Sequence, residues 1–311
     1  MKKNIYFLGL LLLAACANDD EPTGQQVQNT YPLTIEVTEN PLIPDGEEGS
    51  STRAAITTTS SLTTFNLDYV YGGEYSTGSV SVTNDNGTLT TSDSWPNGAG
   101  VDGMVNWYAY TDGTFNLNGG NPYINFIVEE SATNQKDLLV ATTSGTYSGT
   151  GGKLTFNFNH ACAALRFLVK KATNLETCTL KVSNIVLHNV IKKGKYYYGT
   201  ESWTPSTESE NIANYSLYTG SAFTLGSGST DWKILNGTNG TSGNDPYLFI
   251  IPQTLTKWNG SAGTYIQFDW QCTGVGSGSG TARIPLSKVL EKGYKYDVKI
   301  NIGNYTLQST N

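Results

Sequence analysis

Apolar and polar residues alternate along most of this chain in short runs, which is the pattern of β-strands with one buried face. The last run is the clearest, because Tyr, Val and Ile occupy the even positions of residues 294–302 while Lys, Asp and Asn occupy the odd ones. Near the start, Leu33, Ile35 and Val37 alternate with Thr and Glu in the same way. Turns rich in Gly, Ser, Thr and Asn separate such runs by about ten residues, which predicts an all-β chain built of sandwiches. Residues 286–290 predict one turn of helix.

One long apolar stretch changes phase partway along. Leu154, Phe156 and Phe158 occupy even positions, whereas the apolar residues of 161–169 continue on odd ones. Such a change requires a β-bulge or a break between two strands. A Gly-rich turn lies just upstream, so we place a domain boundary near residue 150. The expected division is an N-terminal β-sandwich over residues 54–150 and a C-terminal β-sandwich over residues 151–311.

The first sixteen residues have the features of an export signal. Lys2 and Lys3 precede an apolar run over residues 5–15, which is too short to cross about 30 Å of hydrocarbon at ~1.5 Å per residue. The run ends in Leu-Ala-Ala before Cys16, which resembles the box at which bacterial lipoproteins receive diacylglycerol on the thiol. Each buried CH₂ contributes about 0.8 kcal/mol, so several acyl chains anchor a protein firmly. An ordinary signal peptide with an incidental cysteine is the alternative.

Residues 17–53 comprise an acidic tether, the first strand and an exposed loop. The Asn-Asp-Asp-Glu cluster after Cys16 resembles a signal for the outer face of the outer membrane, or is simply a solvated tether. The loop is rich in Pro, Gly and acids and ends at Arg53, before Ala54. Arg166 and Arg283, the other two arginines, lie in strand-like sequence. A protease needs an extended segment, so an Arg-specific protease is expected to cut only after Arg53. A plain linker is the alternative.

Charge is spread unevenly along the 311 residues. The formal net charge is −7, but residues 54–150 hold nine acidic and one basic residue, whereas residues 151–311 hold nine acidic and fifteen basic ones. A net negative chain argues against nucleic acid as a partner, because phosphate selects basic surfaces. The asymmetry predicts acidic-to-basic contact, either within one chain or between subunits.

Residues for catalysis or metal binding do not cluster in the sequence. His160 and His188 have no neighbours at metal-ligand spacing, and the chain contains no nucleophile elbow, Walker loop or dinucleotide fingerprint. We therefore predict no catalytic site, no metal site, no cofactor and no enzymatic activity.

Three cysteines follow the leader, and an odd number cannot pair fully within one chain. Export permits disulfides. Buried free thiols are expected for Cys162, Cys178 and Cys272, and Cys162–Cys178 is the best candidate for a bridge.

A further group of segments gives the strongest indication of family. They are Trp95-Pro96 followed by Val-Asn-Trp-Tyr-Ala-Tyr at 105–110, Asp-Leu-Leu-Val-Ala at 137–141, Leu-Thr-Phe-Asn-Phe-Asn-His-Ala at 154–161, residues 248–251 with Pro252-Gln253-Thr254, and Ile284-Pro-Leu286 leading to Gly293-Tyr-Lys-Tyr296. In order and spacing these segments resemble the fimbrillin family, the subunits of type V pili and their accessory proteins. Together they extend over most of residues 31–305.

This resemblance implies two transthyretin-like Greek-key β-sandwich domains in tandem, in a precursor exported as a lipoprotein. It also implies that a protease cutting between Arg53 and Ala54 removes the strand that carries Leu33, Ile35 and Val37. The emptied groove then accepts a strand from another subunit, because an unpaired edge beside an apolar slot is readily paired by another chain. The implied partners are other pilus subunits and, for the precursor, the outer membrane through its lipid. The implied role is cell adhesion from a surface pilus.

The C-terminal segment is shorter than expected for a stalk subunit. Only nine residues, 303–311, follow the last clear strand. Members that polymerise are expected to carry a longer donor arm, so a tip or accessory subunit is favoured. The alternative is that Tyr305 and Leu307 begin a usable donor strand.

The alternative function is a surface-tethered glycan-binding lipoprotein that does not polymerise. Six Trp and nineteen Tyr could provide stacking platforms for sugars of a host or bacterial surface. Most of these rings, including Trp107 and Trp270, are expected to pack between sheets. Trp203, Trp232 and Trp258 lie in polar, loop-like sequence and are the candidate ligand-binding aromatics.

Overall fold

The computed structural model describes residues 31–40, 43–44, 62, 64–72, 76–85, 88–131, 134–175, 177–218, 222–225, 232–235, 247–274 and 277–303. Within these ranges the all-β prediction is confirmed, because nearly every regular element is a strand. The helical elements are α1 (Tyr147–Thr150) and three short 3-10 turns at Asn97–Ala99, Thr173–Leu175 and Ser209–Asn211.

The strands fall into two groups along the chain. The first group is β1 (Thr34–Glu39), β2 (Ile43–Pro44), β3 (Thr64–Tyr71), β4 (Ser76–Asp85), β5 (Thr88–Thr90), β6 (Val105–Tyr110), β7 (Thr114–Asn118), β8 (Asn121–Ile127), β9 (Leu139–Gly145) and β10 (Lys153–His160). The second group is β11 (Ala163–Lys171), β12 (Cys178–Ile191), β13 (Lys193–Tyr197), β14 (Ser202–Pro205), β15 (Ile212–Ser216), β16 (Phe223–Leu225), β17 (Lys233–Ile234), β18 (Leu248–Ile250), β19 (Thr254–Leu255), β20 (Tyr265–Gly274), β21 (Gly278–Pro285), β22 (Lys288–Val289) and β23 (Tyr294–Ile302).

Seven strands of the first group form one sheet in the order β1-β10-β9-β6-β3-β4-β5. The sheet curls, so that its two end strands, β1 and β5, approach within 8 Å between Cα atoms. The backbone N–H of Trp95 donates to the Tyr31 carbonyl (2.7 Å), and Pro32 forms an isolated β-bridge with Ser94. These contacts close the gap between the two edges. Alternating apolar side chains fill the interior, and Trp95, Trp107 and Phe156 are fully buried there.

A second apolar core lies between two five-stranded sheets. One has the path β17-β11-β23-β2 with β18 added on β11, and the other has the path β15-β12-β20-β21 with β16 added on β12. Leu165 and Phe167 enter the core from the first sheet, and Leu180 and Phe268 enter from the second. A four-stranded sheet, β14-β13-β8-β7, joins a hairpin of the first group to one of the second and adds its apolar side chains to this core.

The predicted break between two strands is present at residues 161–162, between β10 and β11. Leu154, Phe156 and Phe158 belong to the first core, whereas Leu165 and Phe167 belong to the second. The change of phase in the sequence is therefore one of the points at which the chain passes from one core to the other. The division into domains at residue 150 stays a prediction.

Two local expectations are wrong. Residues 286–290 do not form a helical turn, because Lys288 and Val289 pair with β19 and Leu290 N–H donates to the Gln253 carbonyl (2.9 Å). Cross-strand hydrogen bonds outweigh a local preference of so few residues.

The expectation of three buried free thiols is also wrong for Cys178 and Cys272, and the candidate bridge Cys162–Cys178 is not formed. Cys178 on β12 is bonded to Cys272 on the neighbouring strand β20, with 5.7 Å between their Cα atoms, and Cys162 is a buried free thiol. Residues distant in sequence become neighbours through the pairing of β12 with β20, so spacing along the chain was a poor guide. Burial raises the pKa of the Cys162 thiol well above its ordinary value, which keeps the thiol protonated and unreactive.

Candidate functional site

The N-terminal strand β1 lies at one edge of the seven-stranded sheet and runs parallel to β10. Six residue pairs are in register, from Thr34 opposite Lys153 to Glu39 opposite Phe158. The pairing is closed at both ends, since Thr34 N–H donates to the Gly152 carbonyl (2.9 Å) and Asn40 N–H donates to the Phe158 carbonyl (2.8 Å). β1 is thus a complete member of the sheet that is held on one side by β10.

The inner face of β1 fills part of the first core. Ile35 and Val37 are 6% and 8% exposed and belong to the same apolar cluster as Phe156 and Phe158 of β10. Leu33 precedes the strand and packs against this cluster while half-buried. Each apolar side chain taken out of water stabilises a fold by about 1.5–3 kcal/mol. Removal of β1 would therefore leave an apolar slot beside an unpaired strand edge.

The outer face of β1 carries polar contacts to β10. Lys153 Nζ lies 2.7 Å from Glu36 Oε1, and both side chains are exposed. Thr38 Oγ1 donates to Asn157 Oδ1 (3.0 Å), and Asn40 Nδ2 donates to Asn159 Oδ1 (2.6 Å). Exposed pairs of this kind contribute about 0–1 kcal/mol each, so the inner face provides most of the attachment.

A partly buried ionic cluster fastens the C-terminal end of β1. His160, the last residue of β10, is hydrogen-bonded through Nδ1 to Asp137, and its Nε2 lies 3.5 Å from Glu39 Oε1. Burial opposes the charged imidazolium, but the hydrogen bond and charge of Asp137, together with the charge of Glu39, outweigh it and raise the pKa of His160. In its protonated form, His160 therefore ties β1 to the body of the protein.

The sequence around His160 shows no neighbours at metal-ligand spacing and did not reveal its acidic partners. Asp137 and Glu39 are 23 and 121 residues away, so nothing in local spacing connects them. The pairing of β9 with β10 brings the segment of Asp137 beside His160, and the pairing of β1 with β10 brings Glu39. A correct strand order was the missing information.

The chain continues from β1 to a second sheet. The short strand β2 pairs in parallel with β23, with Ile43 opposite Tyr294 and Pro44 opposite Lys295. β2 is the edge strand of the five-stranded sheet that contains β11 and β23. β1 and β2 thus lie at the edges of two different sheets, and Ile43–Pro44 form a strand within the segment that was expected to be an exposed loop.

The other predicted site residues at the N-terminus, Cys16, Arg53 and Ala54, lie outside the described residues. The two remaining arginines are both within strands. Arg166 of β11 donates from Nε and Nη2 to the carboxylate of Asp297 at 2.8 and 2.9 Å. Arg283 of β21 donates from Nε to Gln267 Oε1 (3.0 Å).

The three candidate ligand-binding aromatics, Trp203, Trp232 and Trp258, lie in different environments. Trp203 packs against Phe126 and Tyr196, and its indole N–H donates to the Ala161 carbonyl (2.6 Å), so it serves as part of the second core. Trp232 is half-buried beneath the ammonium of Lys170. Trp258 is half-buried in the loop before β20, where its ring lies beside that of Tyr265.

Among the described residues, no helix is long and apolar enough to cross a membrane. In the same part of the chain, no three His, Cys, Asp or Glu side chains are grouped in a way that could hold a metal ion. β1 and β2 together form an edge segment that precedes the predicted cleavage position at Arg53.

Comparison with known proteins gives a family match and two similar folds. Residues 49–311 match the model of a family described as fimbrillin-like. The fold is similar to that of a fimbrial protein from Bacteroides vulgatus ATCC 8482, with 16% identity, a TM-score of 0.55 and coverage of 87% of this chain and 95% of that one. It is also similar to a candidate cell adhesion protein from Bacteroides ovatus ATCC 8483, with 13% identity, a TM-score of 0.50 and coverage of 88% and 93%. No curated protein matches the chain.

Proposed function

The chain belongs to the fimbrillin-like family, and on this basis we propose that it is a structural subunit of a cell-surface pilus that assembles by β-strand exchange and supports cell adhesion. Family membership also confirms that the protein is structural and not an enzyme. The cell surface is the corresponding location.

The observation that carries strand exchange is the place of β1. It is an edge strand, it precedes Arg53, and two of its side chains are buried in a core that consists mostly of later residues. Its loss would free the backbone N–H and C=O groups of β10 and the space of Ile35 and Val37. A donor strand with apolar residues at alternate positions fits both the hydrogen bonds and the space.

β2 extends the proposed acceptor site. Because β2 also precedes Arg53, a cut there releases the edge of β23 together with the edge of β10. A donor segment long enough to follow residues 31–44 would then pair with both sheets. A slip of the donor by one residue would turn its apolar side chains from the core to solvent. Pairing with two sheets therefore fixes the register of the donor more firmly than pairing with one.

Cleavage between Arg53 and Ala54 is the activating step in this proposal. Arg166 and Arg283 lie within strands of sheets, and backbone paired in a sheet is a poor protease substrate. Before cleavage we propose that the lipid on Cys16 anchors the precursor to the outer membrane. Fatty-acid labelling of the wild type, absent in Cys16→Ala, tests the anchor, and equal labelling contradicts it.

A tip or accessory position is the finer part of the proposal. It predicts that cleaved subunits mixed alone do not form long polymers. Ladders of homopolymer in a denaturing gel without heating would contradict the tip position and support a stalk subunit.

The direct test of strand exchange uses a labelled peptide of residues 31–44. We expect it to bind the chain cut after Arg53, from which the original segment has been removed, and not the uncut chain. The matched control is the same peptide with Ile35→Asp and Val37→Asp, which cannot enter the slot. Equal binding to cut and uncut chains, or equal binding of the control peptide, would rule out the acceptor groove.

A disulfide lock provides a second test. Thr38 and Asn157 are register partners with a side-chain hydrogen bond, and adjacent strands lie about 4.8 Å apart, close enough for a disulfide. The Thr38→Cys/Asn157→Cys chain should retain residues 31–53 after cleavage and should fail to bind the peptide. Reductant should restore binding, and wild type with the same reductant controls for the Cys178–Cys272 bridge.

The second candidate function is the surface-tethered glycan binder that does not polymerise. The ring cluster around Trp258 is the observation that favours it. The N-terminal sequence of material extracted from the cell surface separates the two functions. A chain starting at Ala54 supports the pilus subunit, and a lipidated chain starting at Cys16 supports the tethered binder.

A further inference from the structure

The outer face of the sheet β15-β12-β20-β21 is lined by planar polar groups. Along β20, Ile266 and Phe268 point into the second core, so Tyr265, Gln267 and Asp269 point outward. The pairing with β21 places Arg283 opposite Gln267 and Thr281 opposite Asp269. The pairing with β12 places His188 opposite Tyr265. These residues therefore share one solvent-facing surface.

Three rings meet at one end of this surface. His188 and Tyr265 stack with 4.6 Å between centroids and 12° between planes. Trp258 lies 5.0 Å from Tyr265 at 41°. The Arg283 guanidinium carbon is 5.3 Å from the Trp258 ring centroid and 5.7 Å from that of Tyr265. We call Trp258, Tyr265, Arg283, Gln267 and His188 the aromatic patch.

The loop that carries Trp258 is held in place by backbone hydrogen bonds. Thr264 N–H donates to the Thr256 carbonyl (2.6 Å), and Asn259 N–H donates to the Ala262 carbonyl (3.0 Å). Gly263 has a φ of +106°, and a side chain there would meet the Lys257 backbone at 2.7 Å, so the turn requires glycine. The indole position is thus set before any ligand arrives, which lowers the entropic cost of binding.

Arg283 differs from Arg166 in its partners. Arg166 is neutralised by a bidentate contact with Asp297. Arg283 is exposed, and within the described residues no carboxylate lies within 4.0 Å of it, its one polar contact being that with Gln267. Asp269, further along the same face, already accepts from Asn184 (2.6 Å) and Thr281 (2.7 Å). The guanidinium thus has donors left for an external anion, and planar anions such as carboxylates suit its geometry.

His188 adds a neutral ring to the same end. Its pKa is lowered, mainly by burial and also by the charge of Arg283, although a hydrogen bond that the ring donates to Asn214 acts in the opposite direction. Its Nε2 is buried and has no hydrogen-bond partner within the described residues. The positive charge of the patch is therefore concentrated on Arg283.

From this geometry we propose that the aromatic patch binds an acidic carbohydrate, with a sugar ring against Trp258 and Tyr265 and a carboxylate or sulfate on Arg283. Flat, half-exposed rings suit the C–H face of a pyranose, and Gln267 and Arg283 provide planar hydrogen-bonding groups beside them. The inference names a ligand class for the surface contact in either proposed function, the pilus subunit or the tethered binder, and rests on them only for the place where the ligand is met. Because binding is measured on the isolated full chain, its failure would leave strand exchange untouched.

The test measures affinity by calorimetry for three polysaccharides: galacturonan as the carboxylate source, dextran sulfate as the sulfate source and unmodified dextran as the neutral one. We expect one or both acidic polymers to bind, with at least tenfold weaker or no binding of dextran. Arg283→Gln and Trp258→Ala should each lower the affinity for the acidic polymer that binds about tenfold or more, which corresponds to ~1.4 kcal/mol. Arg283→Lys should recover only part of the loss, because an ammonium cannot make the bidentate contact.

A matched control is available on the opposite sheet. Lys170 Nζ lies 4.7 Å above the Trp232 ring, so Lys170→Gln and Trp232→Ala remove a cation–ring pair of the same kind elsewhere. Both controls should bind as the wild type does. The proposal is overturned if no polymer binds, if dextran binds equally well, or if the control variants lose as much affinity as Arg283→Gln. Unchanged urea midpoints show that the patch variants are folded.

Discussion

Truncation of one side chain in β1 tests how the N-terminal strand is held. Ile35 is 6% exposed within the first core, and truncation of a buried Ile to Ala costs about 2–5 kcal/mol through lost transfer energy and the cavity left behind. An edge strand relaxes partly around a cavity, so we expect Ile35→Ala to lower the free energy of unfolding of the uncut chain by about 3 kcal/mol. After cleavage at Arg53 and release of the segment, the same substitution should have no effect, because residue 35 is gone.

The assay is urea unfolding followed by tryptophan fluorescence. Trp95 and Trp107 are fully buried in the first core, so their emission reports its opening. The control is Glu36→Ala on the same strand, where an exposed ion pair with Lys153 is lost at a cost of about 0–1 kcal/mol. Two results would refute the reasoning. An equal loss in cut and uncut chains would mean that the segment stays bound after cleavage, and no loss in the uncut chain would mean that β1 does not support the core.

Three further predictions concern other contacts. The pKa of His160 is raised in the folded state, so its stabilising effect is complete below the ordinary histidine pKa and is lost as pH rises through the folded-state pKa. The urea midpoint of the wild type should therefore fall with rising pH across that window, and His160→Gln should make the midpoint less dependent on pH. An equally steep pH dependence in His160→Gln would contradict this. Cys272→Ser removes the bridge to Cys178, which has a sequence separation of 94. It should lower the free energy of unfolding in urea by about 4 kcal/mol under oxidising conditions. Cys162→Ser, at the free thiol, should leave unchanged the loss of stability that reductant causes. Tyr110→Phe removes a 2.7 Å hydrogen bond to buried Asp68 and should cost about 2 kcal/mol in the same assay; a loss below ~0.5 kcal/mol would argue against that bond.

Period and phase in the sequence were enough to predict much of the architecture. The alternation at residues 294–302 marks β23, and the change of phase after Phe158 marks both a strand break and one passage between the cores. Both signals are local, because they depend on which side of one strand is buried. Ile35 and Val37 were placed on the buried face of an N-terminal strand for the same reason.

Strand order was not readable from the sequence, and the misses follow from it. The pairing of Cys178 with Cys272, the cluster of His160 with Asp137 and Glu39, and the meeting of Trp258 with Arg283 all join segments that only the sheet topology brings together. The short strands β2 and β22 have too few residues to show any period. β2 pairs with the much longer strand β23, whereas β22 pairs with β19, which is itself only two residues long.

The parallel alignment of β1 with β10 has a mechanical consequence. A strand in this position, whether the chain's own or one supplied by another subunit, is loaded lengthwise when tension acts along its axis. Its hydrogen bonds to β10 then share the load and must break together. β10 continues through residues 161–162 directly into β11, so tension passes from one core to the other along the covalent backbone. A joint built on this edge resists stretching along the strand and yields most readily to a force that peels the strand sideways from one end.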